Sequence, residues 1–270
     1  MPADSRGAGT RPPAVAGLFY PRDPARLQTE VLELLGRGAP FKGHAEGADR
    51  AACRLRLFRP GCWRSICETS GKRSDNHARR VDRAGALCSF EWDCCAQRRR
   101  LRNSSWSCAV DTEACSQIGG FEFVTQTDAP HEPEHSLEVE LPFLQSVLSF
   151  FQLVPLVVSD AAQQQVAQLL RQLWGGPETL IVVSSDLSHY HSYASAQRLD
   201  LSTAEAIEQG EWTSLSSSRA CGWVAVAGML IETRRRGLGG YRLALCNSGD
   251  TAGSRDRVVG YGAWMFGEAA

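Results

Sequence analysis

Two apolar runs of strand length, residues 153–158 and 180–183, constrain this fold more than any other feature. Each is too short for a buried helix and is bounded by turn-forming residues, the signature of a strand buried on both faces. Between them Val166, Leu169, Leu170 and Leu173 recur at helical spacing, and Gly175 and Gly176 stop the pattern. Strand, helix, strand in this order calls for a parallel pair joined by a crossover helix. The expected class is therefore α/β, with a mostly parallel central sheet flanked by helices.

The flanking sequence extends that pattern. Residues 12–21 read as an extended lead-in. Asp23 can cap a helix whose first position is Pro24, and Leu27, Val31, Leu34 and Leu35 give it an apolar face before Gly36 and Gly38. Residues 121–124 are a short strand candidate. Residues 136–151 read as a helix interrupted early by Pro142. Residues 194–209 and 222–236 are helical, and 241–246 and 258–266 close the chain as strands. No internal repeat is present.

Residues 40–109 break this regularity. Seven of the ten cysteines lie between Cys53 and Cys108, with Trp63, Trp92 and Trp106 and the run Arg98, Arg99, Arg100 and Arg102. Almost no apolar period can be found there. Cys94 and Cys95 are adjacent and no C-x-x-C pair occurs, so zinc spacing is absent. The formal net charge of -1 gives no global field toward nucleic acid or a membrane surface. No apolar run approaches the roughly 18 residues of a membrane span. Residues 1–13 lack an apolar signal core. These features lead us to expect a cytoplasmic protein with reduced thiols and no nucleic-acid or membrane partner.

Four local constellations can carry chemistry. The first is Ser184-Ser185-Asp186-Leu187-Ser188-His189, directly after the 180–183 strand. Residues past the carboxyl end of a strand line the ligand crevice of open α/β sheets. Asp186 could orient His189 for acid/base work or metal binding. A helix cap with a surface histidine is the competing reading. The second is His131, Glu132, Glu134, His135, Ser136 and Glu138, ahead of a helix. Here Glu134 or Ser136 can cap, or His135 can point into a crevice. The third is Cys221, followed by Gly222 and an apolar helix, where the helix dipole and free N–H groups favour a thiolate; a small buried residue is the alternative. The fourth, residues 247–253, is a polar turn that lines the same crevice or simply reverses the chain. Walker and G-x-S-x-G motifs are absent.

Together these pieces resemble the Memo family, also called AmmeMemoRadiSam system protein B. Residues 11–21 (R-P-P-A-V-A-G-L-F-Y-P) resemble its N-terminal signature, residues 134–142 its E-H-S-x-E-x-x-L-P motif, and residues 184–189 its S-S-D-x-S-H motif. Residues 246–253 and 258–263 match its C-terminal motifs. The resemblance covers about residues 11–38 and 110–270. It implies a single domain like the class III extradiol dioxygenases. It also implies a crevice of two histidines, from P-H-A-G-Y and G-P-[SA]-H motifs, with a cysteine that corresponds to Cys221. His189 falls where those dioxygenases hold an acid/base, with Asp186 as its orienter and His135 as a crevice histidine. The implied cofactor in intact relatives is iron or copper, and the implied partner is a small molecule or a peptide.

Neither histidine motif is present here. Residues 51–57 can be written GCC GCA TGC CGG CTA CGT CTA; read one base later this gives P-H-A-G-Y-V. The same shift over residues 82–88 can read I-G-P-A-H-C, and a family-like segment follows before the frame rejoins near Val110. The reading is that residues 40–109 are out of frame. His44 and His77 are then not ligands, no metal is held tightly, and the product folds poorly and is inactive. Two other readings stay open: a binding module for anionic or phosphorylated peptides, and a genuine cysteine-rich zinc insertion.

Overall fold

The computed structural model describes residues 9–36, 83–89, 94–95, 100–104, 107–148, 150–251 and 253–268. Residues 37–82, which carry His44, His77 and the shifted P-H-A-G-Y stretch, lie outside the described residues. The elements run β1 (Thr10–Arg11), α1 (Pro24–Gly36), β2 (Arg83–Ser89), β3 (Cys94–Cys95), β4 (Arg100–Arg102), β5 (Ser107–Val110) and α2 (Thr112–Ile118). They continue β6 (Thr125–Gln126), α3 (Ser136–Val147), β7 (Gln152–Val158), α4 (Gln163–Leu173), β8 (Thr179–Ser184) and β9 (His189–His191). The chain closes with α5 (Tyr193–Glu208), α6 (Trp223–Arg235), β10 (Leu238–Asn247) and β11 (Val258–Glu268).

The central sheet has the order β1-β4-β5-β7-β2-β8, with β3 against β7 and β6. The β3–β7 and β4–β5 pairings are antiparallel and the others parallel. This is the mostly parallel α/β sheet that the sequence implies. The two apolar runs are β7 and β8, and β2 sits between them, with Cys88 in register with Ser184. Parts of residues 40–109 thus run as strands of this sheet, with Leu101 and Cys108 buried. The carboxyl ends of β2, β7 and β8 share one edge, and the Ser184–His189 stretch leaves from it.

Helices α4 and α6 cover this sheet. Val166, Leu169 and Leu170 of α4 meet Ala225, Val226, Met229 and Leu230 of α6 in one core with Leu153, Ile181 and Val183. Burial on most sides suits an α6 that carries little polar surface before its last turn. Glu232 there is fully buried and ties to Arg171, Arg235 and Arg236 at 3.3, 2.6 and 2.7 Å. Burial pushes its pKa up, but the three guanidiniums outweigh burial and hold it below the ordinary value. A second sheet, β10-β11-β9, is antiparallel. Helix α1 packs its Leu27, Val31 and Leu35 with Phe143 and Ala263.

Several local expectations change. Residues 121–124 form a turn closed by the Val124 N–H to the Phe121 carbonyl at 3.0 Å, and the strand is β6. The Phe121 and Phe123 rings stack at 5.1 Å within this turn. Pro142 does not break α3, which runs from Ser136 to Val147. The helix forgoes the one backbone bond that Pro142 cannot donate, and Leu141, Phe143 and Leu144 are buried around it. The Asp23 cap is present, accepting the Arg26 N–H at 2.8 Å.

Candidate functional site

Strand β8 delivers Ser184 to the edge of the sheet, and the next residues turn across the start of α6. The Cys221 N–H donates to the Asp186 carbonyl at 3.1 Å, and the Asp186 N–H donates back to Cys221 Sγ at 3.1 Å. Ser185 completes the join. Its Oγ accepts the Gly222 N–H at 2.8 Å, donates to the Asp186 carbonyl at 2.7 Å and lies 3.6 Å from Cys221 Sγ. Gly222 has to be glycine-small here, because a Cβ would fall 2.8 Å from Ser185 Cβ. His189 Nε2 lies 3.2 Å from Asp186 Oδ2. Asp186, His189 and Cys221, picked out separately in the sequence, are therefore one cluster centred on Asp186.

The Cys221 thiol contradicts the helix-dipole expectation. Burial and the Asp186 charge push its pKa up, against the opposing pull of the Ser185 hydroxyl and the Asp186 and Gly222 N–H groups. Desolvation of a thiolate outweighs two backbone donors, so the neutral thiol is the resting form. The Asp186 carboxylate can accept an N–H from His189 Nε2.

The Ser188–His191 loop is pinned from behind. Asp200 on α5 accepts the Ser188 N–H at 3.0 Å. Gly260 on β11 donates to the Ser188 carbonyl at 2.8 Å and accepts the Leu187 N–H at 2.9 Å. Burial pushes the Asp200 pKa up, partly offset by Ser188 and by the nearby His191 and His189. Asp200 was not visible as a site residue in the sequence, since it looks like one more polar position on an amphipathic helix. The turn at residues 247–253 is the tip of the β10–β11 hairpin. Asp250 accepts the Asn247 N–H at 2.8 Å and the Tyr193 hydroxyl. One carboxylate oxygen thus closes the turn on Asn247 and the other ties it to Tyr193 at the start of α5.

His135 has a different setting. Its ring lies 4.7 Å from Phe19, and its Nδ1 lies 3.9 Å from Glu134 Oε1. Glu134 caps α3, accepting the His135 and Ser136 N–H groups at 2.7 Å each. The dominant residue of this motif is Glu138, buried to 1 % exposure. It accepts Arg11 Nη1 at 2.7 Å, the Ala14 and Val15 N–H groups at 2.8 and 3.1 Å, and the Tyr20 hydroxyl at 2.6 Å. Burial and Glu138 drive the Tyr20 pKa well above its ordinary value. Arg11 also donates to the His131, Glu132 and Glu134 carbonyls. Residues 11–21 and 134–138 are thus two halves of one buried polar network.

The described residues do not by themselves make a three-ligand metal site. Among the described residues no three His, Cys, Asp or Glu side chains come together as ligands. His189 reaches Asp186, whose backbone N–H donates to Cys221 Sγ.

An Asp–His pair at a strand end beside a half-buried thiol, on a mostly parallel sheet, defines an α/β protein with a candidate site at the carboxyl edge of β8. The model of the family described as "Memo-like protein" matches residues 106–265. The chain belongs to the Memo-like family. It is similar to a "MEMO1 family protein" of Nitrosopumilus maritimus, 32% identical over 169 residues (58% of this chain, 62% of that one). One from Aeropyrum pernix is 35% identical over 167 residues, 57% of this chain and 59% of the relative. These matches span about three fifths of the relatives' length. One from Methanosarcina mazei is 26% identical over 279 residues, 94% of this chain and 97% of the relative. Among the described residues no helix is long and apolar enough to cross a membrane.

Proposed function

We propose that this chain carries one half of a non-haem metal redox site of the extradiol-dioxygenase kind, and that the half supplying the histidine ligands is out of frame. The observation that carries the reading is the Asp186-centred cluster, with His189 Nε2 at 3.2 Å and Cys221 Sγ at 3.1 Å from Asp186 atoms. In it His189 is the acid/base, Asp186 fixes its tautomer, and Cys221 is the retained ligand for iron or copper in intact relatives. His135 belongs to the wall near Phe19. On the out-of-frame reading the two histidine motifs are missing, so the chain as written is inactive and no reaction step is assigned to a metal. On this reading the substrate or partner of the intact site is a small molecule or peptide, in the cytoplasm.

Two facts support the out-of-frame reading. The family match begins at residue 106, close to where the shifted frame rejoins. The slot between β7 and β8 is filled by Arg83-Ala-Gly-Ala-Leu-Cys-Ser89, whereas a central parallel strand reads as a Val, Ile and Leu run. The shifted I-G-P-A-H-C would put a histidine next to β8, whose end carries the cluster. The test is metal content of the purified chain and of a form with residues 40–109 re-read one base later. Stoichiometric iron or copper is expected only in the re-read form, and lost from it in Cys221→Ala. Tight metal in the chain as written, or none in the re-read form, overturns the proposal.

A further inference from the structure

We propose that Asp200 on α5 is the positioning residue of His189, holding the Ser188 N–H so that a one-residue bulge at Tyr190 keeps the His189 ring on Asp186; this rests on the acid/base reading of the Asp186–His189 pair. Between β9 and β11, Val258 pairs with His191 and Val259 with His189, so Tyr190 is an extra residue outside the ladder. It is also the one non-glycine residue among the described residues with a positive φ, at 63°. Such backbone is disfavoured for a residue that carries a side chain and persists only where its surroundings over-determine it. Burial of the ring is not what holds it, because Tyr190 is 64% exposed.

The bulge sets direction. Along a regular strand residues 189 and 191 would project to one face. Paired with consecutive residues of β11, they take successive ladder positions instead, and successive positions alternate. Tyr190 and His191 are accordingly exposed, while His189 is half-buried with Nε2 3.2 Å from Asp186 Oδ2. Without the extra residue the imidazole would not be aimed at that carboxylate.

Three bonds fix the chain where it enters the bulge. The Leu187 N–H donates to the Gly260 carbonyl at 2.9 Å, the Gly260 N–H to the Ser188 carbonyl at 2.8 Å, and the Ser188 N–H to Asp200 Oδ1 at 3.0 Å. The first two are backbone bonds that many sequences could make. The third ends on a carboxylate that is 2% exposed. A buried carboxylate needs bonded partners to offset its lost hydration, and among the described residues Ser188 alone donates to this one. That carboxylate is thus committed to the amide directly before His189. Its charge also faces His189 and His191, so charge and position have to be separated by experiment.

The test follows two NMR signals of the full chain: the pH titration of the His189 ring, and the backbone shifts of Tyr190 as a report on the bulge. Asp200→Asn removes the charge and keeps an acceptor for the Ser188 N–H, whereas Asp200→Ala removes both. Asp200→Ala is expected to take Tyr190 out of the left-handed region and to lower the His189 midpoint as Asp186→Asn does, by about threefold or more in proton affinity, because a facing carboxylate favours the imidazolium. Asp200→Asn should keep Tyr190 left-handed and move the midpoint much less. Adding Tyr190→Gly to Asp200→Ala should restore part of the loss, since glycine adopts this φ freely. Equal midpoints in Asp200→Ala and Asp200→Asn, or a Tyr190 backbone unmoved by Asp200→Ala, overturn the proposal. If Asp200→Ala does not fold, amide exchange decides: the Ser188 N–H should be protected about a hundredfold or more in the unsubstituted chain and in Asp200→Asn, and unprotected exchange overturns it. Asp186→Asn separates the two claims. A His189 midpoint that it leaves unmoved sinks the acid/base reading; a midpoint that it moves and Asp200→Ala does not sinks only the positioning role.

Discussion

Gly260 stands directly against the carboxylate of Asp200: a Cβ on Gly260 would fall 2.1 Å from Asp200 Oδ2. The contact matters because both residues grip the same loop, Gly260 through the Leu187 and Ser188 backbone and Asp200 through the Ser188 N–H. Gly260→Ala therefore has to push α5 and β11 apart or release the loop. We expect about 1–3 kcal/mol of destabilisation, the cost of overpacking a filled interior. Calorimetric or denaturant midpoints against the unsubstituted chain check it, and a neutral substitution would show that the loop is not clamped there.

The same carboxylate sets a pH dependence. Burial raises the folded-state pKa of Asp200 above its ordinary value of 3.8. Between the two values the folded chain binds the proton more tightly than the unfolded chain. Its contribution to stability is then greatest at low pH and is lost as pH rises from about 4 through the folded value. Asn in its place keeps an acceptor for the Ser188 N–H and removes the titration. Thermal midpoints measured across the acid range should fall with rising pH in a component that Asp200→Asn lacks.

Glu138 should be the most sensitive acid in the N-terminal network. Glu138→Gln keeps the shape but leaves Arg11, whose side chain is 4% exposed, charged and unpaired. Removing one partner of a buried pair costs roughly 3–5 kcal/mol. The loss should appear as a lowered denaturant midpoint together with faster proteolysis within residues 11–21, because the Ala14, Val15 and Tyr20 bonds end on the same carboxylate. A lowered midpoint without faster cleavage would place the role of Glu138 elsewhere.

How far the sequence carries depends on whether a residue's neighbours are local. The strands β7 and β8, the helix between them and the cap at Asp23 are legible because their signals lie within a few residues: apolar runs, helical spacing and a turn-stopping glycine pair. Asp186 and His189 are three apart and are legible for the same reason. Cys221 is legible as a residue type but not as a partner, since its bond to the Asp186 N–H spans 35 positions. Of the two readings of Cys221, the dipole-favoured thiolate and the small buried residue, the sequence cannot choose, because the helix dipole is visible in it whereas the burial that raises the thiol pKa is not. Glu138 looked like one acid in a cluster; only the fold brings Arg11, 127 positions away, to it. Residues 121–124 misled because aromatic residues favour strands, but here their rings pack on each other across a turn.

The junction of Gly222 with Ser185 gives the sharpest probe of the cluster itself. A thiolate, not a thiol, reacts with iodoacetamide, so the raised Cys221 pKa predicts slow alkylation at neutral pH and a rate that climbs with pH beyond the ordinary thiol range. Asp186→Asn removes the negative charge that opposes ionisation while keeping the backbone N–H that Sγ accepts. It should speed alkylation of Cys221 by about threefold to tenfold. Ser185→Ala removes a hydroxyl that favours the thiolate and should slow it. Gly222→Ala cannot place its methyl without displacing Ser185, so it should detach Cys221 from the Asp186 N–H and change the rate through exposure instead. Peptide-mapped alkylation of Cys221 in the three variants checks all of this, since opposite signs for Asp186→Asn and Ser185→Ala are required if charge and hydrogen bonding, and not simple access, set the reactivity of this thiol.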